Sequence, residues 1–313
     1  MSSGGGSCVA AVDIGGSGLR VQVCRDGRPG PVRTAPGVRI QPGGIDVPTL
    51  ALAARGLLAE EGGPQAPDVV VWSMRGLLFL ADRVEVMRTV RSTLGAGRTV
   101  VVSDAVANLV GALGGLRPGA VMAAGTGAVA FGTDFGDTWR RVDGWGHVLG
   151  DVGSAAWLGL EGLRAALRAH DGLPDGSSVL LRAGVDAHGE PATWPRQVMN
   201  APDAPERLAG FAPAVAGAAP ADPVAAALCA RAGQGLGDSL LAAAVGLEDP
   251  VLAATGGVLG APVVRAALEE RLTAQGRHLT PAVGGALDGA RLLGAHLVEA
   301  GTLPTHAAYL LVG

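Results

Sequence analysis

The chain has 313 residues, and its 24 arginines face 28 acidic side chains, for a formal charge of −4. That balance excludes the basic footprint of a nucleic-acid binder. Charged residues make up only 17% and hydrophobic ones 48%, a composition that excludes a disordered chain and suits one large domain or two lobes.

In chain order, Cys8 to Val12 is an apolar run that leads into Asp13-Ile14-Gly15-Gly16-Ser17-Gly18, and Leu19 to Cys24 alternates. This predicts a β-hairpin with a glycine-rich tip. Residues 28–48 read as loop with one edge strand. Thr49 to Glu61 has helical spacing, and Val69 to Trp72 is a buried strand followed by Arg75. Asp82 to Leu94 reads as a helix capped by Asp82. Thr99 to Val102 is a second buried strand that runs through Ser103 and Asp104 into a helix over 105–113.

The theme then repeats. Ala120 to Ala124 and Ala128 to Gly132 flank Gly125-Thr126-Gly127, a second glycine-tipped hairpin about 110 residues after the first. A glycine-rich loop over 143–153 precedes a helix over 154–170. Residues 172–223 show no clear pattern. Helices are expected over 224–247, 261–274 and 286–300, with a strand over 251–254 that turns at Thr255-Gly256-Gly257-Val258. The expectation is an α/β fold with a mixed sheet in each half.

All the basic side chains except histidine are arginine; the chain has no lysine. A Walker loop, a protein-kinase active site and Schiff-base chemistry are thereby excluded. Any phosphate must be handled by backbone amides, hydroxyls, arginine or a metal. Cys8, Cys24 and Cys229 have neither metal-ligand nor redox-pair spacing and read as buried apolar residues of a reducing cytosol. No signal peptide and no membrane span is expected, so the sequence reads as cytoplasmic.

Glycines at a hairpin tip let amides close on an anion. A carboxylate beside that anion, such as Asp13, calls for a divalent cation between them. Asp13 with Gly15, Gly16 and Ser17 therefore reads as a Mg²⁺–phosphate site, the metal held directly or through water.

Asp13-Ile14-Gly15-Gly16-Ser17, Gly125-Thr126-Gly127 and Thr255-Gly256-Gly257-Val258 resemble the phosphate-1, phosphate-2 and adenosine motifs of the actin/sugar-kinase/Hsp70 ATPase superfamily. The segment from Gly144 to Ala155 resembles the GWGHxxGDEGSA signature of N-acetylglucosamine kinases within the BadF/BadG-type ATPase family. The resemblance implies two ribonuclease-H-like lobes with an interlobe cleft: residues 1–116, and residues 117–297, with a C-terminal helix over about 298–313 packing back onto the first. It implies ATP and Mg²⁺ as ligands, a sugar substrate and a possible homodimer. Ser17, Gly125, Thr126 and Gly127 would touch the phosphates. Gly233, Gly256 and Gly257 would lie on the nucleotide, and Gly144, Trp145, Gly146 and Asp151 on the sugar. Asp104 matches the family's catalytic aspartate and would also contact the sugar.

The chemistry agrees. A sugar hydroxyl must lose its proton as its bond to phosphorus forms, and a carboxylate within reach can accept it. Trp145 could stack on a sugar or pack in the core, while His147 reads as a brace for its loop. Gly18 stands where the family carries a cation, Val152 where it carries Glu, and residues 39–45 lack its Asn. The expected activity is phosphorylation of N-acetylglucosamine to its 6-phosphate. Glucosamine or another hexosamine as acceptor, an ATPase activator, and a sugar sensor are the alternatives.

Overall fold

The computed structural model describes residues 7–15, 18–37, 44–60, 66–79, 82–199 and 201–313. The chain divides into two units. The first comprises residues 1–118, 134–137 and 282–313; the second comprises residues 119–133 and 138–281.

In the first unit, β1 (Cys8–Ile14) and β2 (Leu19–Arg25) form the expected hairpin. Two short strands, β3 (Arg28–Pro29) and β4 (Arg33–Ala35), pair with β2 where one edge strand was expected. β1 pairs in parallel with β5 (Val69–Met74), and β5 in parallel with β6 (Arg98–Ser103). Both are apolar runs buried on each face, as parallel strands demand.

Helices α1 (Val47–Ala59) and α2 (Arg83–Leu94) bury Leu50, Ala54, Val86 and Val90 in one core with Val12, Val70 and Trp72 of the sheet. Asp46 caps α1, and Asp82 caps α2 by accepting from the amides of Val84 and Glu85. Helix α3 (Asp104–Leu113) is buried from Ala105 onward, and its N-cap is Ser103, whose Oγ accepts from the Val106 amide.

The C-terminal helix expected over about 298–313 is not formed. A helix over Ala286–Ala300 stops at Gly301, which takes φ +76°. The last strand, Leu310–Val312, pairs antiparallel with β6. The 286–300 helix packs on β1, on β5 and on α3. Its crossing with α3 is glycine-lined: a Cβ at Gly289 would stand 1.7 Å from the Ala107 carbonyl oxygen. Two backbones this close leave room for hydrogen only.

The second unit repeats the hairpin. β7 (Gly119–Ala124) and β8 (Ala128–Thr133) are antiparallel, and β9 (Trp139–Asp143) continues the meander as a strand the sequence reading missed. β10 (Val251–Thr255) pairs in parallel with β7. The order β10-β7-β8-β9 mirrors β5-β1-β2-β3, a meander with a parallel strand added beside its first member.

Helix α4 (Ala155–His170) follows the glycine-rich loop. The unpatterned stretch forms α5 (Ser178–His188), α6 (Trp194–Met199) and α7 (Ala204–Ala218). Helix α8 (Pro223–Ala243) ends four residues before the expected Leu247, and α9 (Pro262–Thr273) packs along it. The caps of α5 and α8 bond each other: Ser177 Oγ donates to Asp222 Oδ2 at 2.6 Å, both residues buried. The remaining helix and strand of the first unit are α10 (Ala286–Ala300) and β11 (Leu310–Val312). Among the described residues, no single helix is long and apolar enough to cross a membrane.

Candidate functional site

In the first unit, the chemistry gathers at the carboxyl ends of three adjacent parallel strands, where open α/β sheets bind ligands. Asp13 is the penultimate residue of β1 and is 2% exposed. The β1/β2 register sets it opposite Arg20, and the β1/β5 register sets it beside Ser73. Arg20 Nη2 donates to Asp13 Oδ2 at 2.5 Å, and Ser73 Oγ to Asp13 Oδ1 at 3.3 Å. Burial pushes the Asp13 carboxyl up from its ordinary value, and Arg20 and Ser73 oppose that rise.

Gly15 closes the tip by donating to the Gly18 carbonyl at 3.0 Å. Gly16 and Ser17 lie outside the described residues. On β6, Ser103 takes the cap and leaves Asp104 as the first residue of α3, half-buried, with Oδ1 accepting from the Ala105 amide at 2.9 Å. An acid in the first turn also meets the positive end of the helix.

In the second unit, the tip over Gly125, Thr126 and Gly127 is closed by Gly125 donating to the Gly127 carbonyl at 2.9 Å. Its remaining carbonyls serve α4: Ala155 donates to Gly125 O at 2.9 Å and Ala156 to Thr126 O at 3.1 Å. Thus the tip holds the start of α4, satisfying amides that helix geometry leaves without partners.

The loop over 143–153 is organised by Asp143, whose carboxylate accepts from the amides of Asp151 at 2.7 Å and Val152 at 2.8 Å. Asp143 and Asp151 take φ of +59° and +56°, a conformation that short polar side chains tolerate. Asp151 is buried and accepts from the Gly146 amide at 3.1 Å. Its Oδ2 lies 2.6 Å from where a Cβ on Gly127 would stand. The Asp151 carboxylate therefore bonds within the 144–153 loop and lies against the tip at Gly127.

Gly144 leaves room for the Arg141 guanidinium, which donates to its carbonyl. Trp145 is 62% exposed, so the core-packing alternative does not hold, and Arg141 sits 4.8 Å from the ring centroid. The Val152 side chain faces Gly235 of α8. At the end of β10, a Cβ on Gly256 would stand 2.1 Å from the Ala124 carbonyl oxygen. Gly256 is thus packed against the residue that precedes the tip, and Gly257 beside it faces open space. Gly233 is set apart: it is buried between α8 and α9, 2.2 Å from the Val264 carbonyl oxygen by the same measure. Helix packing requires a glycine there.

Sequence reasoning missed Arg20, Ser73 and Asp143. The first two follow only once the pairing of Asp13 across both of its neighbouring strands is known. Asp143 had a local signal in its place ahead of Gly144, which positive-φ loops favour.

The sequence profile of the BadF/BadG/BcrA/BcrD ATPase family matches residues 59–294. An N-acetylmuramic acid/N-acetylglucosamine kinase of Clostridium acetobutylicum is 35% identical over 95 residues, which cover 29% of this chain and 31% of that relative. A protein of Chromobacterium violaceum, assigned as an N-acetylglucosamine kinase, has a solved structure that superposes with a TM-score of 0.74 at 26% identity, over 91% of this chain and 98% of its own. One from Porphyromonas gingivalis, assigned likewise, gives 0.72 at 20% identity, over 92% and 99%.

Proposed function

The chain belongs to the BadF/BadG/BcrA/BcrD ATPase family, and from that premise we propose that it is an ATP-dependent sugar kinase acting on an amino sugar. N-acetylglucosamine is the favoured acceptor and its 6-phosphate the product. The relatives named as N-acetylglucosamine kinases support the substrate class.

The observation that carries the reading is the shared carboxyl edge in the first unit, which holds the buried Asp13 on β1 and the half-buried Asp104 just beyond β6. Asp104 accepts the proton of the sugar hydroxyl as the new O–P bond forms. Ser17, with Gly15 and Gly16, and Thr126, with Gly125 and Gly127, supply hydroxyls and amides to phosphate oxygens. Gly256 and Gly257 lie on the nucleotide side. The loop that carries Gly144, Trp145, Gly146 and Asp151 contacts the acceptor, with the exposed indole of Trp145 available to stack on a sugar face.

Both Asp13 oxygens are already engaged, by Arg20 and by Ser73. Among the described residues, no cluster of three His, Cys, Asp or Glu side chains forms a metal cage. This donor set fits a Mg²⁺ that keeps its waters and rests chiefly on substrate phosphates, with Asp13 holding it through water. Such an ion, when bound, neutralises phosphate charge.

The test is ADP release, measured with a coupled assay, over a panel of N-acetylglucosamine, glucosamine, N-acetylmannosamine, N-acetylmuramic acid and glucose. ADP formation that depends on an amino sugar is expected. Sugar-independent ATP hydrolysis, or release only with glucose, would contradict the reading.

A further inference from the structure

Arg75 has no role in the site as described above. It follows β5 directly, and its amide donates to the Ile14 carbonyl at 3.0 Å, so the backbone is fixed against the end of β1. The parallel ladder between β5 and β6 pairs Ser73 with Val102 and Met74 with Ser103. The ladder ends with that pair, so Arg75 is the first residue beyond β5 and Asp104 the first beyond β6. On the other side, the β1/β5 ladder ends with Ile14 paired to Met74, and Gly15 is the first residue beyond β1. Neighbouring strands lie about 4.8 Å apart. Arg75 therefore leaves the central one of three adjacent strands, whose neighbours lead into the first glycine of the hairpin tip and into the aspartate that opens α3.

Its side chain is half-buried, yet among the described residues it makes no hydrogen bond and no ion pair, either with Asp104 or with Asp13. Asp13 is served instead by Arg20. An arginine at the carboxyl edge of a central strand, whose two neighbouring strands carry Asp13 and lead into Asp104, and which is bonded to neither, keeps its donors for a ligand. Guanidinium is suited to phosphate oxygens, which it can meet with two parallel N–H donors. In a chain without lysine, an arginine must take that task, and Arg75 stands where it is needed.

We infer that Arg75 holds the phosphoryl group while it is transferred, an assignment that rests on the kinase reading above. In that step the acceptor hydroxyl oxygen bonds to the terminal phosphorus of ATP, and the bond from that phosphorus to the bridging oxygen breaks. ADP departs with the electron pair, and the hydroxyl proton passes to Asp104. Charge spreads over the equatorial oxygens of the moving group, where fixed cations act most strongly. Arg75 stays with the group on both sides of the reaction, as terminal phosphate of ATP and as phosphate of the product.

The test uses the full chain with Arg75→Met and Arg75→Lys, and titrates three probes by calorimetry: ADP, the β,γ-imido analogue of ATP, and N-acetylglucosamine 6-phosphate. For Arg75→Met, ADP affinity within twofold of wild type is expected. Binding of the imido analogue and of the sugar phosphate should each weaken about tenfold or more, and turnover should fall about 100-fold. Arg75→Lys should recover part of each loss. Equal loss of ADP and imido-analogue binding would overturn the assignment, as would a loss confined to an acceptor that bears a carboxylate, such as N-acetylmuramic acid. Unchanged binding in both variants would do the same. A wild-type protein that neither binds the imido analogue nor phosphorylates a sugar would sink the kinase reading itself; a wild-type protein that does both beside unaffected variants would sink only the role of Arg75.

Discussion

Arg20 Nη2 donates to Asp13 Oδ2 at 2.5 Å across the β1/β2 ladder, linking a guanidinium that is 48% exposed to a carboxylate that is 3% exposed. The pair is asymmetric. Arg20 can return to water, whereas Asp13, once abandoned, is left buried in the sheet with Ser73 alone, where burial disfavours its charged form. Arg20→Met should therefore lower stability by about 1–3 kcal/mol in urea unfolding. The double variant Asp13→Asn/Arg20→Met should recover most of that loss, because the buried carboxyl that needed the partner has gone. A loss that persists in the double variant would assign the effect to packing of the arginine stem.

Gly127 and Asp151 form the corresponding contact in the second unit. A methyl on Gly127 would fall 2.6 Å from Asp151 Oδ2, and that carboxylate cannot move without releasing the Gly146 amide. Gly127→Ala should weaken nucleotide binding about tenfold or more while the circular-dichroism spectrum is kept. Retention of wild-type affinity would show that the tip does not touch the nucleotide.

Helix α3, which begins with Asp104, is set in depth by α10. At Gly289 the added methyl of alanine would meet the Ala107 carbonyl oxygen at 1.7 Å. Backbone at that range has no rotamer to escape into, so Gly289→Ala should cost about 3 kcal/mol or more and lower the melting temperature by several degrees. A stability equal to wild type would mean that the two helices slide apart freely.

His188 gives a pH prediction. Burial, with the Arg207 charge adding to it, holds its imidazole below the usual 6.5, and its buried Nε2 has no hydrogen-bond partner beside the rings of Trp194 and Phe211. The folded state therefore binds fewer protons here than the unfolded chain does. Stability from this site is present above about pH 6.5 and declines as pH falls through the lowered value. His188→Phe should flatten the melting temperature between pH 7.5 and 5 relative to wild type. Parallel curves would refute the neutral, buried imidazole.

Much of this was legible in the residues themselves. Both glycine-tipped hairpins, the buried parallel strands at 69–74 and 98–103, and the capped helix after Asp82 carry their information locally, in alternation, in apolar runs and in capping side chains. What escaped depends on distant partners. β9 is interrupted by Arg140-Arg141 and is only partly buried, so it has no apolar face to read. β11 is three residues long and becomes a strand only because β6 offers an edge. The helix expected over 105–113 starts one residue earlier, at Asp104, because the preceding Ser103 takes the cap. Gly233 looked like a ligand-side glycine, and in the structure the proximity of α9 explains it. Arg20 lay beyond reach because its meaning depends on register rather than on motif.

The most direct test of the central claim is a single-turnover measurement with Asp104→Asn. The amide keeps the size of the side chain but accepts no proton, so phosphoryl transfer to the best acceptor should fall about 10²–10⁴-fold while binding of ATP and of the sugar stays within a few-fold of wild type. A variant that transfers phosphate at the wild-type rate, or one that loses both ligands together, would contradict the account.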